Sequence, residues 1–77
     1  MAIVYRTAAR KVLKRIAKSQ ALRVIRAIDN LPAGDVKRLQ GRNDYRLRIG
    51  GWRVIFTMTG DTIEITLIAA RGDVYKR

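Results

Sequence analysis

The chain has 77 residues and carries a formal net charge of +11 at pH 7, from 17 Lys and Arg residues against six Asp and Glu residues. It contains no Cys and no His, which excludes disulfide bridges and zinc sites built from thiolate and imidazole ligands. The acidic residues are scattered without the spacing of a cation-binding loop, so we expect neither a metal nor a cofactor. So large a positive charge predicts a polyanionic partner, which is a nucleic acid, an acidic protein or an anionic membrane surface.

The length predicts one small domain over residues 1–77, which must depend on an apolar core or on a partner because it has no disulfide or metal. No apolar run approaches the length of a membrane-spanning helix, and the first residues lack the apolar segment of a signal peptide. We therefore expect a soluble, cytoplasmic protein that does not span a membrane.

The N-terminal part of the chain predicts a strand followed by a helical hairpin. Residues 2–6 are typical of a short strand, and apolar residues recur at helical spacing after them. Thr7 is a suitable N-cap for the first helix and Ser19 for the second. Asn30 and Pro32 end the second helix, and the very short connection between the helices indicates a hairpin.

The rest of the chain predicts a loop and an antiparallel sheet. We interpret residues 34–44 as a loop with one buried side chain, Leu39. Three alternating strands follow, at residues 45–49, 52–58 and 62–70, with turns at Gly50-Gly51 and Gly60-Asp61. The predicted fold class is α+β, in which an N-terminal strand, a helical hairpin and a three- to four-stranded antiparallel sheet form two layers.

The two turns predict a register for the sheet and divide its side chains between two faces. Across the first turn Leu47 pairs with Val54; across the second, Phe56 pairs with Ile65 and Val54 with Leu67. One face collects nearly every large apolar residue and must contact the helices: Tyr45, Leu47, Ile49, Trp52, Val54, Phe56, Met58, Ile63, Ile65 and Leu67. The opposite face is mixed: Arg46, Arg48, Arg53, Ile55, Thr57, Glu64, Thr66 and Ile68.

Three arginines on the mixed face form the candidate site. Arg48 lies opposite Arg53 across the first turn, although like charges in this position destabilise a sheet, and Arg46 lies two residues along the same face. A phosphodiester between the guanidinium groups would offset their repulsion, because each group is permanently charged and offers planar donors suited to phosphate. The alternative is an ordinary solvated face, which is expected on one side of an antiparallel sheet.

Three runs carry a resemblance to a known family: KRLQG at residues 37–41, YRLRIGGWRVIF at 45–56 and IEITLIAARGDVYKR at 63–77. Because these runs occur in this order and follow a strand and a helical hairpin, the chain resembles the RelE/ParE superfamily of bacterial and archaeal toxins. Members of the RelE branch cleave messenger RNA in the ribosomal A site, whereas ParE-like members share the fold and act on DNA gyrase. In both branches a co-expressed antitoxin wraps and silences the toxin.

The resemblance to the RelE branch implies that this chain is the toxin of a type II toxin-antitoxin system. It also implies a metal-independent endoribonuclease, with ribosome-bound mRNA and an acidic antitoxin as partners.

The resemblance also implies a role for each candidate residue. Arg46 and Arg48 occupy positions where relatives often have lysines, and they would bind the RNA backbone. Arg53 would stabilise charge on the scissile phosphate, and Arg71 would hold that phosphate or protonate the leaving 5′ oxygen. Tyr75 would stack on a base or help to position the 2′-hydroxyl that attacks the adjacent phosphorus.

Several alternatives stay open from the residues alone. Arginine is a poor general base because it stays protonated, and Glu64 is either a base or a carboxylate that balances charge. We interpret Trp52 and Tyr45 as core residues that do not stack on bases. A ParE-like non-enzymatic inhibitor of DNA gyrase is the second functional hypothesis, and a module that only binds nucleic acid is the third.

Overall fold

The computed structural model describes residues 2–39 and 43–70, which form two helices and one five-stranded sheet. The elements in chain order are β1 (Ala2–Tyr5), α1 (Thr7–Arg15), α2 (Lys18–Asp29), β2 (Asp35–Arg38), β3 (Asp44–Ile49), β4 (Trp52–Thr59) and β5 (Thr62–Ala70). The strand order is β1-β5-β4-β3-β2, with β1 parallel to β5 and the other pairs antiparallel. The predicted α+β fold class is confirmed. Within the described ranges, no helix is long and apolar enough to cross a membrane.

Both predicted helix caps are wrong. The N-cap of α1 is Arg6 and that of α2 is Ala17, and neither position makes a side-chain capping hydrogen bond. Arg6 donates its backbone N–H to the carbonyl of Ile65 at 2.9 Å, so pairing with β5 holds it extended and α1 begins directly after it. Without side-chain caps, helices this short depend on tertiary packing for their stability.

The core lies between the helices and one face of the sheet. Ala9 of α1 and Val24 and Ile28 of α2 are fully buried in one cluster with the apolar side chains of the sheet. The sheet residues in that cluster are Leu47, Ile49, Val54, Phe56, Ile63, Ile65 and Ile68. The helices therefore cover the face that the sequence pattern assigned to the core, and no helix within residues 2–39 and 43–70 lies on the other face.

The strand β2 corrects the interpretation of residues 34–44 as a loop. It pairs with β3 at the edge of the sheet, where Val36 lies opposite Leu47 and packs against the core. Leu39, the expected buried side chain, is only half-buried. A four-residue edge strand with one apolar residue and three charged ones has little periodic signal, because charged residues are common on edge strands.

The second hairpin contains a β-bulge that the sequence pattern did not reveal. The pairings of Leu47 with Val54 and of Phe56 with Ile65 are confirmed, but Val54 lies opposite Ile68, not Leu67. The extra residue is Thr66, whose hydroxyl donates a hydrogen bond to the carbonyl of Ile55 at 3.1 Å. A single inserted residue exchanges the two faces of a strand beyond it.

The bulge therefore reverses two predicted positions. Ile68, expected on the mixed face, is 1% exposed and belongs to the core. Leu67, expected in the core, lies opposite Ile55 on the other face and is half-buried.

We predict that Ile68→Ala lowers the free energy of unfolding by about 2–5 kcal/mol, because it opens a cavity in the core. Leu67→Ala removes the same number of atoms from the other face and should cost less than half as much. Urea unfolding measures both, and Ile68→Val, with an expected loss of about 0.5–1.5 kcal/mol, serves if the alanine variant does not fold. A larger loss for Leu67→Ala would contradict the bulged register.

Candidate functional site

Three arginines share the face of the sheet that the helices leave uncovered. Arg46 and Arg48 alternate along β3, and Arg53 lies directly opposite Arg48 on β4. Arg46 lies opposite Ile55, and its neighbour on the other side is Lys37 of β2. We call the surface formed by Lys37, Arg46, Arg48 and Arg53 the arginine face. The structure thus brings the three predicted arginines together, and the edge strand adds a lysine that the sequence interpretation had placed in a loop.

Arg53 is a buried charge. Its side chain is 7% exposed, and its Nη1 donates hydrogen bonds to the carbonyls of Gly50 at 3.4 Å and Trp52 at 3.2 Å. Its Nε is buried and has no hydrogen-bond partner among the residues that the structure describes. No carboxylate within residues 2–39 and 43–70 forms an ion pair with this guanidinium, so its burial is costly, because two carbonyl bonds replace only part of the hydration that is lost.

The β-bulge makes room for this guanidinium. Arg53 lies opposite Ala69 on β5. With unbroken alternation from the Phe56–Ile65 pair, the residue opposite Arg53 would be Ile68, which has a much larger side chain. The insertion at Thr66 therefore does two things at once: it turns Ile68 into the core and places a small residue beside the buried cation.

Arg48 differs from Arg53 because it is half-exposed and has a carboxylate partner. Its Nε lies 3.7 Å from Oδ2 of Asp35, the residue directly opposite on β2. Both side chains are well solvated, so this ion pair contributes little to stability. It nevertheless offsets part of the repulsion between Arg48 and Arg53. Asp35 was missed as a member of this face because β2 was not recognised as a strand.

Glu64 lies at the far end of the same face. It is opposite Thr57, as predicted, and its Oε2 accepts a hydrogen bond from Nη1 of Arg6 at 3.3 Å. Thr57 is four residues from Arg53 along β4, which places Glu64 about 13 Å from the arginine pair. Glu64 is therefore engaged with another cation and is remote from the candidate phosphate site.

Two aromatic residues are confirmed as packing residues. Tyr45 stacks on Phe56 with ring centroids 5.4 Å apart, and Trp52 donates its indole N–H to Oε1 of Gln20 at 3.1 Å. Both rings lie on the helix-covered side and pack against the core. Arg71 and Tyr75, the other two predicted catalytic residues, lie outside the described residues.

A groove of about 610 Å³ lies on the helix side of the molecule. It is lined by Tyr5, Arg10, Leu13, Lys14, Ile25 and Asp29. Burial, together with the negative charge of Asp29, raises the pKa of the Tyr5 hydroxyl, which therefore stays protonated at neutral pH. Because this groove mixes an acidic residue with two basic ones, it is less suited to a polyanion than the arginine face.

A basic α+β domain with clustered guanidinium groups on one sheet face is the arrangement expected of a protein that binds a polyanion. The family model described as "ParE toxin of type II toxin-antitoxin system, parDE" matches residues 3–75. The chain therefore belongs to this family of toxins, within the RelE/ParE superfamily.

Solved structures of toxin-antitoxin complexes share the fold. The RelB-RelE complex of Methanococcus jannaschii matches with 26% identity and a TM-score of 0.70, covering 95% of each chain. The RelE-RelB complex of Pyrococcus horikoshii matches with 24% identity and a TM-score of 0.77, covering 94% of this chain and 96% of the other. The RelBE2 complex of Mycobacterium tuberculosis matches with 19% identity and a TM-score of 0.73, covering 94% and 92%. No match was found among curated protein sequences.

We predict that Arg53→Met leaves the free energy of unfolding unchanged or raises it by up to about 2 kcal/mol. The substitution keeps an unbranched side chain and removes the buried charge and its repulsion from Arg48. Arg48→Met is the matched control, and it should change stability by less than about 1 kcal/mol because Arg48 and Asp35 are solvated. Urea unfolding measures both variants. A loss of more than about 2 kcal/mol for Arg53→Met would mean that its bonds to the turn outweigh the cost of its burial.

Proposed function

We propose that this toxin is an endoribonuclease that cleaves messenger RNA on the ribosome, in the cytoplasm, and so inhibits translation. The observation that supports this proposal is the arginine face, which presents several permanent cations on an uncovered surface of a rigid sheet. Single-stranded nucleic acid binds to such surfaces through its phosphates.

The proposed reaction is an internal transfer at one phosphodiester. The 2′-oxygen of a ribose loses its proton and bonds to the adjacent phosphorus, and the bond from phosphorus to the 5′ oxygen of the next nucleotide breaks. The products are a 2′,3′-cyclic phosphate and a 5′-hydroxyl, which gains a proton. No water is consumed, so catalysis depends on aligning the 2′-oxygen with the phosphorus and on stabilising the charge that develops on the phosphate oxygens.

The roles follow from the positions of the side chains. Arg46 is half-buried and Arg48 is exposed, so both are more accessible than Arg53, and we assign them to binding the RNA backbone. Arg53 is desolvated and held by two backbone carbonyls, so its charge acts in a low dielectric and needs no reorganisation as the transition state forms. We assign it to the charge on the scissile phosphate. We propose that Arg71 protonates the 5′ oxygen and that Tyr75 helps to position the 2′-hydroxyl.

The family model favours a second candidate function. Because that model is named for ParE, a non-enzymatic inhibitor of DNA gyrase is the alternative to an RelE-like nuclease. The two functions differ in what they require of Arg53. Arg53 is 7% exposed, so it can make little contact with the surface of a target protein such as gyrase. A phosphate oxygen of an RNA substrate is small enough to approach it.

We predict that Arg53→Ala lowers the rate of mRNA cleavage about 10²- to 10³-fold, the effect of removing one donor from a developing anion. Inducing the wild-type chain in bacterial cells should arrest growth and give mRNA cuts within codons, and Arg53→Ala should relieve both. Arg26→Ala is the matched control, since it removes one exposed guanidinium from α2, and it should remain toxic.

Two further outcomes sharpen this experiment. Glu64→Gln should retain the cleavage rate within about threefold, because Glu64 is bound to Arg6 and lies about 13 Å from the arginine pair. A loss of rate comparable to that of Arg53→Ala would instead identify Glu64 as the general base. Intact mRNA together with DNA breaks and an SOS response would contradict the nuclease proposal and support gyrase as the target.

We also propose that an acidic antitoxin silences the chain by covering the arginine face. The relatives from M. jannaschii and P. horikoshii were crystallised with RelB, and a cationic surface is complementary to carboxylates.

We predict that the affinity for the antitoxin falls at least about tenfold between 0.1 and 0.5 M salt, because exposed charge pairs are screened. Isothermal titration of the toxin with the product of the adjacent gene measures this change. An affinity that does not depend on salt would contradict electrostatic masking of the face.

A further inference from the structure

Two guanidinium groups meet at the Gly50-Gly51 turn, one from each layer of the fold. Arg53 reaches the turn from the sheet, where its Nη1 donates to the Gly50 carbonyl at 3.4 Å. Arg23 reaches it from α2: a Cβ added to Gly50 would lie 2.8 Å from Nη2 of Arg23 and 3.2 Å from its Cζ. By standard backbone dimensions, the nearest nitrogens of the two groups are within about 10 Å of each other. The cationic surface therefore continues from the arginine face around the end of the sheet.

A contact between the layers lies one helical turn from Arg23 and brings α2 against the turn. Gln20 accepts the indole hydrogen bond of Trp52 at 3.1 Å, and Trp52 directly follows the turn. Gln20 and Arg23 are three residues apart on α2, so they lie on the same side of the helix. Arg23 is exposed and has no carboxylate partner within residues 2–39 and 43–70. An exposed guanidinium beside a bare turn is a suitable donor for an external anion.

Gly51 is not explained by the fold. Gly50 has φ = +55°, in the left-handed region that favours glycine, whereas Gly51 does not have a positive φ. A Cβ added to Gly51 would meet nothing within 4 Å. Neither the backbone nor packing therefore requires glycine at this position, although glycine costs conformational entropy. A glycine without a side chain in open space does, however, let a ligand approach the backbone closely.

We propose that the RNA strand held on the arginine face continues over the Gly50-Gly51 turn, and that Arg23 binds the phosphate of a neighbouring nucleotide. The bare backbone at Gly51 lets the strand pass over the outside of the turn at the end of the sheet, and the guanidinium of Arg23 holds a phosphate bidentately beside it. This inference rests on the proposed nuclease function and extends it, because it adds a second phosphate site that belongs to the helical layer. Arg23 is a substrate-binding residue in this arrangement, and the reacting phosphate stays with Arg53.

The test compares Arg23→Ala with Arg26→Ala, which removes the same exposed charge from the same helix one turn away. The probe is a ribosome programmed with an mRNA whose A-site codon carries 2′-O-methyl groups, which prevent cleavage. Arg23→Ala should weaken binding about tenfold and lower the slope of log K against log salt by about one, as expected for the loss of one phosphate contact. Arg26→Ala should change binding by less than about threefold. With unmodified mRNA, Arg23→Ala should raise KM about tenfold, whereas Arg53→Ala should lower kcat.

Gly51→Ala provides a second and independent variant. Its backbone conformation and surroundings accept a methyl group, so the midpoint of urea unfolding should stay the same or rise slightly. Binding to the same programmed ribosomes should nevertheless weaken several-fold, because the methyl group occupies the path of the strand. Unchanged binding by Gly51→Ala would overturn the proposed path.

The remaining outcomes separate the two proposals. If Arg53→Ala abolishes cleavage while Arg23→Ala and Arg26→Ala weaken binding equally, the nuclease function stands and the second phosphate site is overturned in favour of diffuse electrostatics. If Arg23→Ala weakens only the antitoxin complex, the turn is a protein contact and the proposed RNA path is overturned. If Arg53→Ala also leaves cleavage unchanged, the nuclease function itself fails, and the inference fails with it.

Discussion

The repulsion between Arg48 and Arg53 is the constraint around which this small fold is arranged. Like charges directly opposite each other destabilise a sheet, and a small domain has little stability in reserve. The pairing cannot be relaxed by slipping the hairpin, because a one-residue shift would turn Leu47 and Val54 out of the core. The register that builds the core therefore also holds the two cations together, and an anion between them would stabilise the sheet as well as bind to it.

Two features elsewhere in the sheet reduce the cost of this arrangement. Asp35, at the edge, brings a carboxylate to within 3.7 Å of Arg48. The bulge at Thr66 brings Ala69 beside Arg53 and leaves space for its guanidinium. The bulge also keeps the core continuous, since it turns Ile68 inward. Stability and the cationic surface are thus linked through one irregularity in β5, because a regular strand would place a bulky apolar side chain next to the buried charge.

The parts of this arrangement that could be predicted are those with a local signal. The glycine turn and the alternation around it predict the Arg48–Arg53 pairing, since both depend on residues close in the chain. The bulge has no such signal: residues 67–70, which follow the bulged Thr66, are apolar on both faces, so alternation does not distinguish one register from the other. The strand β2 has a single apolar residue, and its contribution of Lys37 and Asp35 follows only from pairing with β3. The burial of Arg53 and the approach of Arg23 depend on packing between layers, which no local pattern contains.

The unequal exposure of the arginines bears on the kind of ligand that the surface accepts. Arg48 and Lys37 are solvated and can attract any polyanion at long range, whether RNA or the acidic side chains of a protein. Arg53 has only 7% of its surface exposed, so a ligand must place a small, highly charged group directly against it to gain from its charge. A phosphate on a thin, flexible strand meets that requirement, whereas a carboxylate on a folded protein surface is restricted by the bulk of its own backbone. The same burial that makes Arg53 costly in the free protein therefore favours a nucleic-acid substrate over a protein target.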